Sequence, residues 1–126
     1  MKIGNIKFKA KRLDNGEWVE GDLKHSTSYV GIGYPSSAFP DVPIVHRVDP
    51  DTVCMFTGLT DCEGKEIWEG DMIKSPYLEN VATVEWDDSL CGFKCVDERK
   101  RINYSLKALV GSSGWSLIGN KFDEEK

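Results

Sequence analysis

The chain is 126 residues long, 40% apolar and 29% charged, with a formal net charge of −5. That is the size and composition of one globular domain, or of two very small parts sharing a core, and it excludes disordered and fibrous classes. Charge is unevenly spread: through Val48 seven Lys/Arg face five Asp/Glu (+2), and from Asp49 onward nine face sixteen (−7), a balance that opposes non-specific attraction to nucleic-acid phosphate.

The first residues, MKIGNIKFKAKRL, break any apolar run with lysines, so no secretory signal is read there. Nowhere do about 18 apolar residues run together, so no membrane span and no membrane partner are expected. Residues 6–11 alternate apolar and polar, the period of a strand with one face in a core. Asp14-Asn15-Gly16 is a hairpin turn, because Asn and Gly tolerate positive φ, and residues 17–23 return as the partner strand. Residues 29–34 read as a short strand loosened by Gly31 and Gly33. Residues 35–43 are a loop rich in Pro and Ser. Residues 44–48 and 53–59 are strands, separated by a turn at Asp49-Pro50, since the residue before proline avoids the helical region.

A polar turn at residues 61–65 leads into 66–74, where a turn runs into a strand. Residues 81–86 and 92–96 form a hairpin through Asp87-Asp88-Ser89. Residues 105–109 suit a helical turn with Ser105 as N-cap. Residues 115–120 close the set, and 123–126 are a frayed tail. Short strands at close spacing with turns between predict a mainly-β fold, a small antiparallel β-barrel or sandwich with one short helical turn. One domain over 1–126 is expected. It subdivides into a hairpin-and-meander part (1–60), a small barrel part (61–122) whose element order suits an SH3-like barrel, and the tail.

The segment 48–73, VDPDTVCMFTGLTDCEGKEIWEGDMI, carries the strongest pattern. Asp49, Pro50, Thr52 and Val53 form a D-P-x-T-V element, and Phe56, Thr57, Gly58 and Leu59 follow as an aromatic with T-G-L. Then come Asp61, Gly64, Lys65, Glu66, Ile67, Trp68, Glu69, Gly70 and Asp71. Further on stand Val84, Glu85, Trp86, Asp87, Asp88, Gly92 and Phe93, and at the end Ile118, Gly119 and Asn120. With Lys7 to Ala10 at the start, these residues resemble the signature of the YopX family of phage and prophage proteins. Two departures are Cys54, where glycine is common, and a tail without the usual asparagine-proline continuation. The resemblance implies a mostly β fold and a phage or prophage setting, which with the missing export signal reads as the bacterial host cytoplasm, and it brings no catalytic residues. Glycines at 58, 64 and 70 and apolar positions at 67, 72 and 73 give the motif a structural reading, in which turns need positive φ and the core needs fillers.

Other groups offer chemistry less directly. Glu69, Asp71, Glu85, Asp87 and Asp88 are a candidate acidic site for a cation or for acid–base work, yet 87–89 also reads as a solvated turn. Cys54, Cys62, Cys91 and Cys95 contain no CxxC pair and read as reduced thiols. Cys91 and Cys95, four apart on a strand, are too stretched to share a zinc ion with His25 or His46. A cysteine nucleophile lacks an electropositive setting. Gly31-Ile32-Gly33 lacks the helix and third glycine of a phosphate loop. No metal and no cofactor are therefore expected.

Lys7, Lys9 and Lys11 share one strand face, and with Arg12 they are the candidate nucleic-acid contact. The alternative is a lysine-guarded edge strand. One or two aromatics are expected as surface anchors. The favoured function is non-catalytic contact with an unknown protein partner and with further copies of the chain, a homo-oligomer. A nucleic-acid module comes second and an enzyme with an acidic site third.

Overall fold

The computed structural model describes residues 2–97, 99 and 102–123. Of the tail expected to fray, 123–126, only Asp123 is described, so that expectation lies outside the described residues. With 50% strand against 9% helix, the chain is mainly β, and the strands pair antiparallel throughout. No closed barrel forms among the described residues, and no helix there is long and apolar enough to cross a membrane. Two compact units meet in sequence between Phe56 and Thr57.

The first unit contains β1 (Phe8–Lys11), β2 (Trp18–His25), β3 (Val30–Pro35), β4 (Pro43–Arg47) and the opening of β5 (Cys54–Thr60), in the order β4-β3-β2-β1-β5. The β1–β2 hairpin turns as its residues dictate. Gly16 takes φ 73°, the Asn15 side chain accepts the Glu17 N–H at 2.9 Å, and the Arg12 N–H donates to the Glu17 carbonyl. Alternation puts Ala10 inward, where it packs with Val19, Ile32 and Val48.

Strand β2 changes partner midway: through Gly21 it pairs with β1 and from Asp22 it pairs with β3. A Cβ on Gly21 would collide with the Gly33 carbonyl oxygen. Bare backbone at this corner lets the strands approach and the sheet bend, a known use of glycine in strands. Gly31 and Gly33 likewise do not loosen β3. Both are buried, and Val45 lies over them, 2.9 and 3.3 Å from where their Cβ atoms would stand.

After β4 the chain bends back to β1. Val48 donates its N–H to the Val30 carbonyl and bridges Arg12. The D-P-x-T segment then makes one 3-10 turn, with Pro50 at its first position and the Asp49 side chain accepting the Asp51 N–H at 3.0 Å. Thr52 Oγ1 donates to the Asp49 carbonyl at 2.7 Å and accepts the Lys11 N–H at 2.9 Å. The turn is thereby bonded to β1.

In the second unit β5 continues and is joined by a tight turn to its neighbour β6 (Glu66–Trp68). A five-stranded sheet follows from β7 (Asp71–Lys74), β8 (Ala82–Asp87), β9 (Gly92–Asp97), β10 (Asn103–Ser105) and β11 (Ser116–Asn120), in the order β10-β9-β8-β7-β11. The short β10 was not legible in the sequence. Helix α1 (Leu106–Val110) starts where Ser105 Oγ accepts the Ala108 N–H at 3.2 Å. Ile67, Ile73, Ala82, Val84, Cys95, Leu106 and Leu109 form this unit's core.

The Gly21 corner yields a test. Gly21→Ala is expected to destabilise the protein by about 1–3 kcal/mol, the cost of overpacking a site that cannot yield. Gly4→Ala, which has open space around it, should leave the urea midpoint unchanged. Equal midpoints for the two variants would refute the close-approach reading.

Candidate functional site

Two parts of the sequence pattern that lie far apart in the chain meet in the second unit. Between β6 and β7, Gly70 takes φ 87°, which lets Asp71 fold back so that its Oδ2 accepts the Trp68 N–H at 2.8 Å. Asn120, at the end of β11, donates from Nδ2 to Asp71 Oδ1 at 3.0 Å and to the Glu69 carbonyl at 3.1 Å. Its Oδ1 accepts the Phe122 N–H at 3.0 Å. Its own N–H donates to Asp123 Oδ2 at 2.8 Å. The backbone completes the knot: Gly70 N–H donates to the Val84 carbonyl and Lys121 N–H to the Gly70 carbonyl. Asp71 and Asn120 are 6% and 2% exposed, and no buried side-chain N or O lacks a partner among the described residues. Such an arrangement ties strand ends together. Its donors and acceptors are consumed within the fold.

The remaining pattern residues serve turns and core in the same way. Asp61 Oδ1 accepts the N–H groups of Glu63 and Lys65 at 2.9 and 2.8 Å, and Gly64 takes φ 83° in that turn. Thr57 Oγ1 donates to the Ile67 carbonyl at 2.6 Å and accepts the Leu59 N–H at 3.2 Å, across Gly58 at φ 84°. Ile67 is buried and Glu66 half-buried. Phe56 is buried in the first unit. Trp86 is different: it is 42% exposed, stands edge-on to Phe93 at 5.2 Å, and donates from Nε1 to Asp88 at 2.7 Å. It is an aromatic at the surface, as is Tyr77.

The candidate acidic residues are not gathered. No group of three or more His, Cys, Asp or Glu side chains placed to hold a metal occurs among the described residues. Asp87 instead pairs with Lys94 Nζ at 2.8 Å. That hydrogen bond, helped by Ser89, holds the Asp87 carboxyl far below the usual carboxylate range. All four cysteines are free, Cys54 and Cys95 buried and Cys62 and Cys91 exposed. Burial pushes the Cys95 thiol up to about 12, which keeps it protonated and inert.

Lys7, Lys9 and Lys11 do share a face of the first unit, and each ammonium lies over an aromatic ring. Lys7 is 4.8 Å from the Phe56 centroid, and Lys9 and Lys11 are 4.5 and 4.7 Å from that of Trp18. Lys7 also pairs with Glu20 at 3.3 Å. Arg12 is not part of this row. Alternation turns it to the other face, where its guanidinium grips Asp14 at 2.9 and 2.6 Å and holds that carboxyl below its ordinary value.

Clefts open at the surface of both units. In the second unit one of about 400 Å³ is bounded by Lys74, Ser75, Glu79, Asn80 and Arg99. Asn80 there donates to both oxygens of the buried Asp97, at 3.3 and 3.2 Å. A smaller one of about 280 Å³ lies among Tyr77, Tyr104 and Leu109. In the first unit a groove of about 270 Å³ is walled by Pro35, Pro40, Pro43 and Val45. Sequence reasoning passed over this last region as a plain loop. The signal was present in Phe39 and Val42, two apolar residues set among prolines.

Geometry of this kind defines a small, mainly-β, antiparallel protein whose recurrent polar motif is spent on strand ends and turns. The chain belongs to the YopX protein family, whose profile matches residues 5–125. No curated protein matches the chain.

Asn120→Ala should destabilise the second unit by about 1–3 kcal/mol, because it withdraws a buried donor from Asp71; urea unfolding measures this, and a change within 0.5 kcal/mol, about the scatter of surface substitutions, would refute it. Ellman titration of the native protein should find Cys62 and Cys91 at once and Cys54 and Cys95 only after unfolding. Four thiols reacting natively would contradict the burial.

Proposed function

We propose that the chain is a non-catalytic accessory protein of phage or prophage type, working in the host cytoplasm by protein–protein contact and by self-association. One observation carries this reading. In the first unit Phe39 and Val42, joined by the turn in which the Val42 N–H donates to the Phe39 carbonyl, are 69% and 62% exposed, and Val45, which lines the neighbouring groove, is exposed on β4. Apolar side chains left in water close together mark an interaction surface. The family membership supports the phage-type setting. For the second unit, an SH3-like strand order without a closed barrel is supported by four meandering strands, a helical turn, and a last strand returning beside the first.

A second reading, a nucleic-acid-binding module using Lys7, Lys9 and Lys11, is favoured by the lysines interleaved with Trp18 and Phe56, since stacking rings and cations together suit single strands. The pairing of Lys7 with Glu20 weighs against it. An acidic-site enzyme has the least support, because Asp87 is committed to Lys94.

Analytical ultracentrifugation separates these. Self-association at tens of micromolar is expected, and a monomer there would remove that part of the reading. Labelled DNA and RNA should give flat anisotropy at low salt; a salt-sensitive rise would promote the nucleic-acid reading instead.

A further inference from the structure

The first unit carries a knob and a groove side by side, and we infer that they seat reciprocally between two copies of this chain, with Phe39 of each copy entering the proline-walled groove of the other. This rests on the self-association proposed above and names the surface that performs it. The groove exists because Gly33, on its floor, has no side chain, while Pro35, Pro40, Pro43 and Val45 stand around it. Phe39 precedes one of those prolines yet is exposed in its own chain.

The loop that presents Phe39 is held in place. Ser36 Oγ accepts the Phe39 N–H at 3.3 Å, and the Phe39 carbonyl accepts the Val42 N–H at 2.9 Å. Little backbone entropy is left to lose there on docking. Phe39 and the groove belong to one patch, so a two-fold axis beside the patch makes both insertions at once, the self-complementarity an isologous dimer needs.

One charge pair fits the second copy as occupant. Lys24 lines the groove together with Asp22, and Asp41 lies two residues beyond Phe39. Neither Lys24 nor Asp41 has an ion pair among the described residues. Seating Phe39 carries Asp41 of one copy toward Lys24 of the other, twice per dimer.

Strand-to-strand extension through the β4 edge is the weaker route. Val48 donates to Val30, so alternation turns the backbone groups of residues 43, 45 and 47 outward. Pro43 has no N–H, and the Arg47 carbonyl already accepts the Leu13 N–H at 3.0 Å. The edge is guarded and the side-chain patch is open.

Sedimentation of the full chain tests the contact with four exposed variants, each checked by circular dichroism for folding. Phe39→Ser should weaken association about 30-fold or more, as loss of a central aromatic anchor does. Lys24→Glu and Asp41→Lys should each weaken it, and the double reversal should restore it. A wild type that stays monomeric overturns self-association and this contact together. A wild type that associates, with Phe39→Ser unchanged, overturns this contact alone. Loss with Phe39→Ser but no restoration by the double reversal overturns the reciprocal seating.

Discussion

The hydrogen-bonded pair Asp71–Asn120 is the constraint on which the second unit depends. β6 and β7 are consecutive in the chain, and β11 arrives 49 residues later. Side chains that reach sideways fasten all three ends, alongside the backbone bond from Lys121 to Gly70. A carboxylate suits the centre because it accepts from the Trp68 backbone with one oxygen and from Asn120 with the other. An amide suits the far side because it donates and accepts at once. Left-handed backbone at Gly70 completes the geometry, and a Cβ there would stand 3.0 Å from the Asn120 amide nitrogen. Glycine at 70, aspartate at 71 and asparagine at 120 are thus one requirement expressed at three positions.

A comparable dependence in the first unit rests on missing side chains. Gly21 lets β2 turn from β1 to β3, and Gly31 and Gly33 let Val45 lie flat on β3. The same bareness at Gly33 leaves the groove floor open. One compositional choice therefore sets both the curvature of the sheet and the recess in its surface.

These facts explain which parts of the fold could be read from the amino acids. The Asn15-Gly16 hairpin, the Ser105 cap and the β8–β9 hairpin depend on residues within a few positions of one another, and local chemistry settles them. The mutual service of Asp71 and Asn120 is non-local, so the sequence showed two polar motifs without showing that they touch. Gly31 and Gly33 misled because their role depends on Val45 in another strand. Lys7, Lys9 and Lys11 were placed on one face by alternation alone, whereas Arg12 belonged with them only by adjacency. Phe39 was hidden in a proline-rich loop, since loop residues carry no period that would mark one of them as unpartnered.

Polar chemistry in this protein is largely used up in holding itself together. Asp61 closes a turn, Thr52 and Thr57 stitch strands, Asp87 is bound to Lys94, and Lys7, Lys9 and Lys11 lie on aromatic rings. A group committed in that way must break a bond in the fold before it can act on a ligand, and the lost bond subtracts from any binding gained. Apolar surface has no such debt, because its water is released only when a partner covers it. The exposed residues of the β4 region, Phe39 foremost, are therefore where a contact would gain the most.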